Sequence, residues 1–246
     1  MTKSLRVQDM KAEKVLGQFM DKAFYKKLRD KNGEKIKFRR EMEQTIQLQG
    51  IDMVLETPEK TFYIDEKASL YYSNLMIPTF AFEVDSIQKS SKEPIEGWLF
   101  NEKLKTEFYM LIWPNIKCKK QSKEVWTRKE LNELRMEDFT IVEAMLIEKA
   151  KILEYLKELG YTKEKIKLCA EQIRSAGEVK PNQKYLDKKQ ESYFYFSPHL
   201  AEQPINIVIH KNVLKRLAKA NYFISQDYYA KIPKEKINSE EKNVFI

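Results

Sequence analysis

The chain has 246 residues, 42% of them hydrophobic and 12% aromatic, which is enough to bury a full core and excludes a disordered polymer. Its net charge of +8 sits at one end: residues 1–40 carry thirteen Lys or Arg against five Asp or Glu, and the other 206 are balanced at 32 against 32, a distribution that favours a polyanion as partner. No apolar run approaches the roughly 18 residues of a membrane span, the segment Met1–Arg6 has no apolar stretch behind it, and six glycines with eight prolines argue against a loop-rich all-β fold.

The first element is an amphipathic helix over about 9–30. Ala12, Val15, Leu16, Phe19, Met20, Ala23, Phe24 and Leu28 form its apolar face. Lys11, Lys14, Lys22, Lys26 and Arg29 fall largely off that face and are the expected phosphate contacts, and Asn32-Gly33 ends the helix in a turn. Residues 36–56 read as extended, and Thr57–Lys60 connects them to a strand at 61–67. Two further apolar runs, Thr79–Val84 and Phe108–Trp113, are expected to extend the same sheet, with Pro114 ending the second. From 127 the expectation turns to helix. Thr127 with Glu130, and Thr140 with Glu143, have capping-box spacing; Ile141–Leu159 reads as one helix closed by Gly160, and Thr162–Ala176 as another closed by Gly177. After the polar run Lys180–Gln183, strands return at Tyr193–Phe196 and Ile205–Ile209, followed by a helix at about 212–220 and a polar tail at 231–246. The order specifies a mixed α/β (α+β) domain over 1–230, with a core at 1–120 and 190–220 and a helical insertion at about 127–176.

The segments 50–55 and 62–67 carry the chemistry. Strand side chains alternate, so Tyr63, Asp65 and Lys67 share one face while Phe62, Ile64 and Glu66 take the other. An acid and a lysine on one face, beside Asp52 on a neighbouring strand, suit a divalent metal and an activated water, and therefore phosphodiester cleavage. An acid-x-Lys tripeptide occurs about five times by chance in so charged a chain, so its weight comes from the apolar strand context and from Asp52. The plain alternative is a same-face surface ion pair worth little. His199 and His210 lie too far apart for a zinc site, and Cys118 and Cys169 form no metal-binding spacing and fit a reducing, cytoplasmic compartment. Trp98 and Trp113 read as core anchors, and no Gly-rich phosphate loop is present.

With Asp52 as first acid, Asp65 as second and Lys67 as the lysine after an opening helix, the sequence resembles the PD-(D/E)XK nuclease superfamily. Gln49–Asp52, Tyr63–Ala68, Thr79–Glu83, Glu96–Trp98, Lys105–Tyr109 and Leu200–Val208 also look like uncharacterised bacterial and phage members. Ile51 stands where the family's name has proline. The resemblance implies a restriction-endonuclease-like fold, a mixed central sheet flanked by helices. It implies Mg2+ (Mn2+ as substitute) on the Asp52 and Asp65 carboxylates and the Glu66 backbone carbonyl, with Lys67 acting on the water. Glu41 or Glu43 is a candidate for a further metal ligand, the choice between them left open. The expected partner is nucleic acid, DNA before RNA, with no membrane and no indicated oligomer. The rival expectation is a catalytically silent nuclease-fold protein serving as a nucleic-acid-binding or assembly module.

Overall fold

The structure, a computed structural model, describes residues 6–88, 90–117, 124–179 and 191–233, with backbone alone at residues 6–10 and at Gln44. In chain order the elements are α1 (Arg6–Ala23), β1 (Lys37–Arg40), α2 (Gln44–Gln47), β2 (Met53–Glu56), β3 (Thr61–Ala68), β4 (Thr79–Ile87), β5 (Pro94–Glu96) and β6 (Phe108–Ile116). There follow α3 (Arg128–Asn132), β7 (Phe139–Glu148), α4 (Lys149–Glu158), α5 (Lys163–Ala176), β8 (Ser192–Phe196), β9 (Ile205–His210), α6 (Lys211–Leu217), β10 (Ala220–Ser225) and β11 (Tyr229–Ile232). Among the described residues, seven strands form one sheet in the order β1-β2-β3-β6-β7-β10-β11, and four form a second in the order β5-β4-β9-β8. Among the described residues β3 and β6 alone pair in parallel; the other ladders are antiparallel. The class is therefore mixed α+β.

The large sheet is buried on both faces at its centre. From β6, Phe108, Met110 and Ile112 enter a core with Phe19 and Met20 of α1, Phe24 just beyond it, and Leu131 of α3. The alternate residues Tyr109, Leu111 and Trp113 enter a second core, met there by Phe80 and Phe82 of β4, Ile207 of β9, and Ile152, Leu156 and Ile173 of α4 and α5. β7 divides in the same way, with Ala144 and Leu146 on the α1 side and Met145 and Ile147 on the other. Strands buried on both faces read as continuous apolar runs.

That double burial corrects the expected helix at Ile141–Leu159. Its first half is β7, paired with both β6 and β10, and only Lys149–Glu158 is helical. Thr140 is accordingly no cap: its hydroxyl donates to the Asn115 carbonyl (3.1 Å), and Glu143 pairs with Lys211 (2.8 Å). The expected insertion at 127–176 thus contributes a strand to the middle of the large sheet. β4 belongs to the second sheet and does not extend the first. β6 continues through Pro114 to Ile116, with its register shifting between those two residues, the kind of irregularity where a missing N–H is tolerated.

α1 ends at Ala23, and a 3-10 turn at Tyr25–Lys27 follows. Tertiary packing claims the next side chains: the Phe24 ring lies 4.7 Å from Tyr222, and Tyr25 is fully buried. The last helix stops at Leu217, and strands β10 and β11 carry the chain to Ile232, beyond the expected start of the tail. Thr127 caps α3 with the full capping box, and Thr162 and left-handed Gly177 bound α5 as expected. Cys118, Lys180–Gln183 and most of the tail fall outside the described residues.

Candidate functional site

β3 follows the expected alternation. Ile64 packs in the α1 core and Glu66 accepts from Tyr25 on that side, while Asp65 lies opposite Tyr109 on the other face, only 3% exposed. Asp52 precedes β2, and its N–H donates to the Ile64 carbonyl (3.0 Å), one residue out of step with the Met53–Ile64 pairing. There its carboxylate accepts from the Glu66 N–H through Oδ2 (2.9 Å). The chain enters this position through Gly50, whose φ of +74° suits glycine and whose absent Cβ would fall 2.3 Å from Thr106 Oγ1. The Thr106 hydroxyl donates to the Gly50 carbonyl (2.7 Å), fixing the segment that delivers Asp52.

Asp52, Asp65 and Lys67 come together. Lys67 Nζ lies 2.6 Å from Asp65 Oδ1. Burial, then the charge of Asp65 and a hydrogen bond to its carboxyl, push Asp52 up to about 7, against the opposing pull of Lys67 and the Glu66 N–H. Burial disfavours the Lys67 ammonium, but Asp65 and Asp52 outweigh it and hold Lys67 above the usual lysine range, with a smaller contribution from Glu13 of α1. Trp98 covers this lysine, with Nζ 5.4 Å from the ring, and packs edge-on against Tyr109 at 4.9 Å. The Tyr109 hydroxyl donates to the Trp98 carbonyl (3.3 Å); burial first, then Asp65, raise its pKa and keep it protonated.

The remaining expected residues are dispersed. The Glu66 side chain lies on the far face, accepting from Tyr25 Oη (2.6 Å) and from Arg40, which also grips Asp21 of α1 at 2.8 Å. Glu41 is buried beside Asp52, whose carbonyl accepts its N–H (2.9 Å), yet its carboxylate is taken by Arg39. Glu43 is exposed in the loop before α2. Lys11, Lys14, Lys22, Lys26 and Arg29 are exposed. His210 accepts from the Asn212 N–H (3.3 Å) at the start of α6, a structural position.

Among the described residues no three His, Cys, Asp or Glu side chains converge as a metal-holding group. The donor set is the pair Asp52–Asp65. Two carboxyls pressed together, one holding a proton to near neutrality, are the situation a divalent cation relieves; Mg2+ keeps most of its waters, so two carboxylates fit it. Sequence reasoning missed Glu13, Tyr109 and Lys149 as neighbours of the site. Lys149 was hidden by reading 141–159 as one helix; counted along a strand, it falls two residues past Ile147, which pairs with Tyr109. No protein-family model matches the chain, and no curated protein or solved structure matches it either.

Proposed function

We propose that the protein is a divalent-metal-dependent nuclease that hydrolyses phosphodiester bonds of DNA, with a restriction-endonuclease-like core. The observation that carries this reading is the convergence of Asp52, Asp65 and Lys67 on one sheet face, with Lys67 Nζ 2.6 Å from Asp65. The path of the chain supports it: α1, then the antiparallel meander β1-β2-β3, then β6 parallel to β3. When bound, the cation lowers the pKa of its water and offsets phosphate charge. Asp52 and Asp65 would hold it, aided by the Glu66 carbonyl. Lys67, kept charged, orients the attacking water and stabilises charge developing on the phosphate. Tyr109 and Trp98 limit water access on the side of the β6 core. No cysteine, serine or tyrosine stands out as an activated nucleophile, so hydrolysis proceeds without a covalent intermediate.

A second reading, a catalytically silent nucleic-acid-binding or assembly module, draws on the absence of a third converging carboxylate among the described residues. Plasmid, linear DNA and RNA incubated with Mg2+ or Mn2+ separate the two. Wild type is expected to cut DNA, while Asp65→Ala and Lys67→Ala lose roughly 100-fold or more. Uncut nucleic acid under every metal condition would sink the enzyme reading.

A further inference from the structure

Lys149 stands out among the cations around the acid pair by what it lacks. Its N–H donates to the Glu107 carbonyl (2.9 Å), extending the β6–β7 ladder one residue past the Phe108–Glu148 pair. Its ammonium therefore reaches the face that carries Asp65, Tyr109 and Ile147, and it donates there to the Asn101 carbonyl (3.2 Å). Neighbouring lysines are matched with acids: Lys67 with Asp65 at 2.6 Å, Lys163 with Glu102 at 2.7 Å and with Glu96 at 3.0 Å, and Lys167 with Glu96 at 3.0 Å. Lys149, half-buried, has no carboxylate at ion-pair distance among the described residues. Burial lowers its pKa and Lys163 adds to this, with Asp65 and Glu96 acting from further off to raise it. A half-buried charge without a counter-ion costs stability, and such a cost beside an acid pair is expected where a ligand supplies the missing charge.

We propose that Lys149 is the anion-receiving residue of the site, donating to a backbone phosphate oxygen of a nucleic acid whose adjacent phosphodiester lies at Asp52 and Asp65. The proposal rests on the nuclease reading and adds a substrate contact to it. It adds a cation on the Asp65 face to the phosphate contacts expected of the N-terminal lysines.

The test measures binding without cleavage. A short fluorescent DNA duplex, and a single strand of the same sequence, are titrated by anisotropy in Ca2+ across a range of salt concentrations. Wild type, Lys149→Gln and Lys149→Arg are compared, with thermal midpoints recorded for each. Lys149→Gln is expected to bind roughly tenfold more weakly, with a salt slope shallower by about one counter-ion. Lys149→Arg is expected to restore both, and the melting point of Lys149→Gln to equal or exceed that of wild type. If wild type binds and cuts DNA while Lys149→Gln keeps its affinity and slope, the assignment of Lys149 fails and the nuclease reading stands. A lowered melting point that Arg does not restore marks a structural lysine and also overturns it. Wild type that neither binds nor cuts DNA or RNA overturns both readings.

Discussion

Asp52 ionises beside a second carboxylate and away from bulk water, and the direction of the resulting pH dependence follows. The native state keeps this proton to about pH 7, whereas an unfolded aspartate releases it near pH 4. Between those values the native state binds more protons, so stability falls as pH rises through the window and is level above it. Metal-free protein is therefore expected to be more stable at pH 5.5 than at pH 8, by on the order of 2 kcal/mol. Asp52→Asn should flatten that profile and raise the melting point at pH 8. Mg2+ should raise the pH 8 melting point of wild type more than that of the variant. Identical melting profiles for the two proteins in EDTA would show that Asp52 carries no such burden. At this scale much of the site was legible: strand parity alone sorted Asp65 and Lys67 from Glu66. Parity says nothing of a partner's reach, which is why Glu41, one ladder step from Asp52, turns out to be taken by Arg39.

Two devices set the elements around the site. One is the Gly50 entry, where an added methyl group would collide with Thr106 Oγ1 and the backbone is left-handed. Gly50→Ala is expected to cost about 2–4 kcal/mol and, on the proposed nuclease reading, to lower DNA cleavage further than the stability loss accounts for, because the segment delivering Asp52 must move. The other is the Arg40 clamp, which ties Asp21 of α1 to Glu66 of β3 across the sheet face away from the site. Arg40→Ala leaves the Glu66 carboxylate without its cation, and a loss of about 3 kcal/mol is expected in chemical denaturation. A loss below about 1 kcal/mol would mean that the clamp adds little. Helix boundaries with side-chain caps at Thr127 and Thr162, and the left-handed backbone cap at Gly177, were readable because their signals are local. β7 was not, since a strand buried on both faces has no alternation to display, and its fate depends on β6 and β10.

At the scale of the molecule, β6 and β7 belong to two cores at once. Leu111 and Ile112 are consecutive, fully buried and directed to opposite sides of the large sheet. Truncating either to Ala is expected to cost about 2–4 kcal/mol, and both variants should still unfold in one transition by circular dichroism and by tryptophan fluorescence. Separate transitions in either variant would divide the protein into two folding units. The second sheet adds a consequence for the order of assembly. β4 ends at Ile87, but its partner β9 begins at Ile205, and the large sheet is completed later still by β10 and β11. A growing chain thus carries Asp52, Asp65 and Lys67 long before the small sheet closes behind Trp98. During synthesis the acid–lysine cluster is present without its roof, the edge of β4 stands open to foreign strands, and the site matures only as the final strands dock.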